Sequence, residues 1–124
     1  PGELMWVDEN EGRWDDIIVG INIDASGQAG AVNHVSFYDC PPGIDSVVRA
    51  AMEPYPGITE GPQWFQGDHG ILTMYGRPAV AIASSEMIDF MANYAHTERD
   101  TLELADPALI AETARFVADV VMSL

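Results

Sequence analysis

The run from Ile17 to Ile23, IIVGINI, constrains the fold more than any other stretch: it is apolar, β-branched and interrupted only by Gly20 and Asn22. It has neither a helical stripe nor a clean alternation of apolar and polar residues, so it is expected to form a strand buried on both faces. Such strands lie inside largely parallel sheets covered by helices. The run ends on Asp24. A carboxylate just past a buried strand sits at the carboxyl edge of the sheet, where α/β proteins place their ligand crevices. Asp24-Ala25-Ser26-Gly27 is also good turn chemistry, so strand context alone leaves Asp24 either opening a turn or meeting a ligand.

With 124 residues, 48% of them hydrophobic, the chain is long enough for one core and too short for two ordinary domains. A single domain over residues 1–124 is expected. No apolar run approaches the roughly 18 residues that cross a bilayer, and the opening PGELMW lacks both an initiator Met and a signal-peptide pattern. A soluble chain is expected, either a processed product or a piece of something longer, and its compartment stays open. The net charge is −15, from 20 acidic residues against five arginines, Arg13, Arg49, Arg77, Arg99 and Arg115. A surface of this sign repels phosphate backbones and anionic lipid, which argues against nucleic acid and membrane partners. Cys40 is the single cysteine, so an internal disulfide and a cysteine-rich zinc module are both ruled out.

Before the apolar run, residues 1–16 read as polar and acidic, with Asp8 to Arg13 a solvent-facing loop. After Asp24 a small-residue loop leads to HVSFYDC, a strand in which Val35 and Phe37 are expected to alternate with Ser36 and Tyr38. Pro41-Pro42-Gly43 breaks the chain, and a helix follows with Ile44, Val47, Val48, Ala51 and Met52 on one face. Glu53 to Gln66 reads as one long connection, in which Trp64 and Phe65 either line a pocket or pack in the core. Asp68 is placed to cap a short helix from His69 to Tyr75, closed by Gly76. Ala79 to Ser84, AVAIAS, is a second doubly buried strand. Asp106 and Pro107 open the final helix, whose apolar face is Leu109, Ile110, Thr113, Phe116, Val117, Val120, Val121 and Leu124. The fold class expected is α/β, a layered sheet of largely parallel buried strands flanked by helices.

Of the three histidines, His34 reads as structural or solvent-facing. His69, after Asp68 at a helix start, reads as a surface imidazole beside a cap. His96 lies in the loop between the second buried strand and the last helix, at the same sheet edge as Asp24 if the two strands run parallel. An aspartate and a histidine on such loops suit a hard or borderline metal such as zinc, although zinc ordinarily takes three or four protein ligands.

Four motifs in order, NID at Asn22 to Asp24, GDH at Gly67 to His69, GRPAVAIASS at Gly76 to Ser85 and AHTERDTLELADPALIAETARFVADVV at Ala95 to Val121, resemble the carboxyl-terminal half of the M28 zinc peptidases. The resemblance runs from about Ile17 to Leu124 and implies part of an M28-like phosphorylase/hydrolase-type fold. It further implies that Asp24 ligates one zinc ion and His96 the other of a co-catalytic pair that activates water and polarises the scissile carbonyl. Asp68, His69, Trp64 and Phe65 are then expected in the substrate cleft, with Thr97 and Asp100 holding the His96 loop in shape.

The family's remaining ligands and its Glu-Glu pair, which includes the general base, have no counterpart in this chain. Ala25 stands where a Met often follows the ligand aspartate, Gly67 replaces the Ser before Asp-His, and Ala95 separates Tyr94 from His96. The resemblance therefore implies part of a zinc aminopeptidase acting on peptides, inactive alone and weak in metal. Its natural partner would be the upstream half of its own domain, and the piece alone would self-associate as a homo-oligomer through an uncovered sheet edge. Two other readings stay open: a non-catalytic M28-like binding or assembly module, and a glutaminyl cyclase-like zinc acyltransferase.

Overall fold

In the computed structural model, which describes residues 2–124, the chain folds around one mixed sheet. Its strands are β1 (Gly20–Ile23), β2 (Asn33–Tyr38), β3 (Ile58–Glu60) and β4 (Ala79–Ser84), in the spatial order β1-β4-β2-β3. The α/β class holds. β1 runs parallel to β4 and β2 parallel to β3, while β2 and β4 are antiparallel. The departure from a largely parallel sheet lies in the connections. Residues 24–32 carry no helix and are too few for the crossover that a parallel return requires, so β2 comes back antiparallel to β1. Helix α2 (Pro42–Met52) supplies a crossover between β2 and β3, and those strands are parallel.

AVAIAS behaves as its sequence suggests: all six residues of β4 are buried between neighbours on both sides. The Ile17–Ile23 run does not. Its strand begins only at Gly20 and is an edge strand, with Ile18 63% and Ile23 48% exposed, because among the described residues no strand lies on the far side of β1. In β2 the expected alternation also fails. Asn33, Val35, Ser36 and Tyr38 are all buried and Phe37 only half-buried, because both faces of the strand are covered and Ser36 donates to the carbonyl of Pro62 at 2.6 Å.

The main core fills one face, where Val35, Ile58, Val80 and Ile82 of the sheet meet Val48 of α2 and Phe116 and Val120 of α5 (Pro107–Ser123). Asp106 caps α5 as expected, accepting from the amides of Ala108 at 2.8 Å and Leu109 at 3.3 Å. The apolar stripe of α5 is narrower than its sequence suggests: Leu109, Thr113, Phe116 and Val120 are buried, while Ile110, Val121 and Leu124 are exposed. A helix lying on one sheet face buries only the stripe beneath it. The opposite face is thinner, with Tyr38, Ala79 and Ala81 packed against Trp64 and Leu72.

Several elements escape the sequence reading. Helix α1 (Gly2–Glu9) and a 3-10 turn (Trp14–Asp16) flank the expected solvent-facing loop, which is kept over residues 10–13 while Asp8 and Glu9 belong to the helix. GELMWVDE has no internal Gly or Pro to oppose a helix, and Trp6 meets Trp14 edge-on at 5.5 Å while Trp14 stacks on Tyr75 at 4.0 Å. β3 lies inside the connection from Glu53 to Gln66, where three residues are too few to show a period. Helix α4 (Met87–Asn93) follows β4 directly. Helix α3 (His69–Met74) is where expected, but Asp68 has helical backbone angles and its side chain makes no capping bond.

Candidate functional site

Because β1 and β4 are parallel, the segments that follow them leave the sheet at one edge. Asp24 is the first residue past β1, and its amide extends the ladder to the carbonyl of Ile82 at 3.0 Å. Ala25 then turns the chain at φ 48°, accepting from the amide of Ser84 at 3.0 Å. The Asp24 carboxylate is left exposed at the rim of a cavity of about 420 Å³ walled by Trp64, Gln66, Met87, Ile88 and Met91. Helix α4 provides the methionine and isoleucine side of this wall. Trp64 and Asp24 thus border one cavity. Phe65 is not part of the wall: it is 66% exposed and meets Tyr38 edge-on.

His96 follows α4 on an exposed loop, at φ 60°. The loop is tied by Thr97, whose hydroxyl donates to the carbonyl of Tyr94 at 2.6 Å and accepts from the amide of Arg99 at 3.2 Å. The Arg99 guanidinium lies 4.7 Å over the Tyr94 ring. Asp100 contributes its backbone, donating to the carbonyl of Thr97 at 3.1 Å. A second cavity of about 130 Å³ lies between Asp100 and Thr101 on one side and Ala25, Ser26 and Gly27 on the other. The loops that carry Asp24 and His96 therefore border one another. Gly27 fixes this junction at φ 78°, accepting from the amide of Asp106 at 2.7 Å; a Cβ there would lie 2.3 Å from the Ile110 side chain.

Two of the three described non-glycine residues with positive φ, Ala25 and His96, are at or beside the expected ligands; the third is Asp39. Backbone strain of this kind costs on the order of 1–3 kcal/mol per residue and clusters at functional sites. The exposed carboxylate of Asp24 and the exposed imidazole of His96 are donor types that zinc accepts. Among the described residues no group of three or more His, Cys, Asp or Glu side chains comes together to hold a metal ion.

His69 overturns the expectation of a surface imidazole. It is 1% exposed, tilted against Tyr38 at 4.6 Å and edge-on to Trp64 at 4.5 Å. Its Nε2 lies 2.8 Å from the Trp64 carbonyl and its Nδ1 3.2 Å from Asn22 Nδ2. A carbonyl only accepts, so Nε2 carries the proton and Nδ1 accepts from the Asn22 amide. His69 therefore joins the strand of Asp24 to Trp64 from behind the cavity, and it lines no cleft. Asp68 is exposed and borders a different groove, beside α1. Gly67 is needed for this arrangement, since a Cβ there would lie 2.6 Å from the Trp64 ring and 2.8 Å from Asn22 Nδ2. His34 is half-buried, in keeping with a structural role, with its ring against Gly61.

The sequence reading missed Asn22 and Tyr38 as supports. Tyr38 accepts from the Trp64 amide at 2.7 Å and donates to the Trp64 carbonyl. Burial pushes its phenol above its ordinary value of about 10. The folded state thus holds this proton more tightly than the unfolded chain does, so the stabilisation is intact below about pH 10 and is lost as pH rises through the folded value. Thermal melts are expected to fall from about pH 10 upward. Tyr38→Phe should be less stable at pH 7 yet show a smaller alkaline loss; an unchanged alkaline slope would contradict the assignment.

No protein-family model matches the sequence, and no curated protein matches it.

Proposed function

We propose that this chain is part of a zinc-dependent, M28-like aminopeptidase, to which it contributes Asp24 and His96 as metal ligands and the Trp64 cavity as the seat for the amino-terminal side chain. The observation that carries the reading is the meeting of the Asp24 and His96 loops at one sheet edge, beside an apolar cavity that opens onto the Asp24 carboxylate. Zinc bound there would lower the pKa of water and polarise the substrate carbonyl. The chain's own part is to hold two donors in place. Asp24 is placed by the ladder bond of its backbone amide, and the His96 loop by the Thr97 and Tyr94 contacts. The further ligands and the general base come from elsewhere in the intact protein, and the chain alone is inactive.

The cavity walls suit a leucine- or methionine-like side chain and penalise a charged one, whose desolvation they do not offset. The intact protein is expected to cleave a leucine-leading peptide about 100-fold faster, in kcat/KM, than a glutamate-leading one. Equal rates would refute the pocket assignment. Cyclisation of a glutamine-leading peptide would favour the glutaminyl cyclase-like acyltransferase, and binding without turnover the non-catalytic module.

A further inference from the structure

We infer that the open edge of β1 is a docking site for an extended, apolar peptide segment that carries a lysine or arginine. The inference is independent of the metal reading. Ile17 to Ile23 has the sequence of an interior strand, yet among the described residues β1 has a partner on one side only. The amides of Gly20 and Asp24 bond toward β4, at Pro78 and Ile82. By alternation along a parallel strand, Ile21 and Ile23 turn their N–H and C=O groups to the open side, where a further strand would pair with them.

The open edge is short, four residues, and helix α1 stands beside it without filling the groove between them. It bears no proline, lysine or bulge, and Ile18 and Ile23 remain exposed beside it. A groove of about 460 Å³ runs along it, floored by Ile17, Val19 and Ile21 and walled by Trp6 and Leu72. Such a groove gives every second side chain of an added strand an apolar seat.

Charge selects the occupant. Glu3 and Asp68 border the groove, and their carboxyls are close enough to share a hydrogen bond that holds Glu3 above the ordinary carboxyl range. A cation placed between them relieves that repulsion. A second copy of this chain is the poorer fit, because it carries the same −15 charge and would bring the same two carboxylates to the interface.

The test uses the full 124-residue chain, labelled with nitrogen-15, and three synthetic peptides. The first is an alternating valine–threonine peptide with a central lysine, the second has glutamate in place of that lysine, and the third is the lysine peptide with alternate backbone amides methylated. The lysine peptide is expected to shift the amide resonances of Val19, Ile21 and Ile23 and to protect the latter two from hydrogen exchange. It should bind about tenfold more tightly than the glutamate peptide, the scale of one well-placed charge pair, and the methylated peptide should not bind. In E3Q/D68N the lysine advantage should vanish while the glutamate peptide binds at least as well as before. Equal binding of all three peptides, or shifts confined to other elements, would overturn the inference. So would a sedimenting dimer whose β1 amides are already protected, which would make a second copy the occupant.

Discussion

Asp24→Ala and His96→Ala, made singly in the intact protein, are each expected to lower kcat/KM by about 10³-fold, the scale on which loss of one electrostatic stabiliser is felt. Neither change should disturb the fold. Both side chains are exposed, and the bond that anchors Asp24 uses its backbone amide, which alanine retains. His96→Gly separates the two consequences more sharply. At φ 60° the histidine backbone is strained, and glycine relieves about 1 kcal/mol of that strain while removing the imidazole. A variant that melts slightly higher and is nonetheless inactive is the expected result. If His96→Gly keeps its activity, His96 is no ligand; if it is inactive because it unfolds, the loop is structural.

Phe116→Ala carries the largest expected loss of stability, about 3–5 kcal/mol. Phe116 is 1% exposed, the largest of the fully buried side chains. It sits where α5 presses on Val35, Val80 and Ile82, with Tyr55 meeting its ring edge-on at 6.4 Å. Truncation leaves a cavity in the one substantial core, since the opposite sheet face is covered chiefly by Trp64 and Leu72. Against a total of about 5–15 kcal/mol for a domain of this kind, the variant should unfold at far lower denaturant. Ile110→Ala, on the exposed flank of the same helix, should change stability by no more than about 0.5 kcal/mol. If the two variants melt alike, α5 is rotated from the orientation described.

Elements whose signal is local were legible from residues alone. AVAIAS is continuous and β-branched enough to declare a buried strand, and Asp106-Pro107 before an apolar period declares the start of α5. What failed depends on neighbours. Nothing in IIVGINI says whether a strand lies on its far side, so its interior pattern and its edge position cannot be reconciled within one segment. β3 owes its existence to pairing with β2, since three residues carry no period of their own. GDH reads equally as a cap and as a buried imidazole, and the Tyr38 and Trp64 rings that decide the matter are distant in sequence. The parallel run of β1 and β4, the condition on which a shared edge for Asp24 and His96 was expected, is present. The cavity at Asp24 was not legible, because half its wall is α4, a helix whose apolar residues are exposed or half-buried and so carry little period.

The most direct test of the central claim is zinc content after dialysis against micromolar zinc, measured on the intact protein and on its Asp24→Ala and His96→Ala variants with their folds verified by circular dichroism. Two zinc ions per intact chain and the loss of about one in each variant are expected. Two ions retained in both variants, or none in the parent, would contradict it.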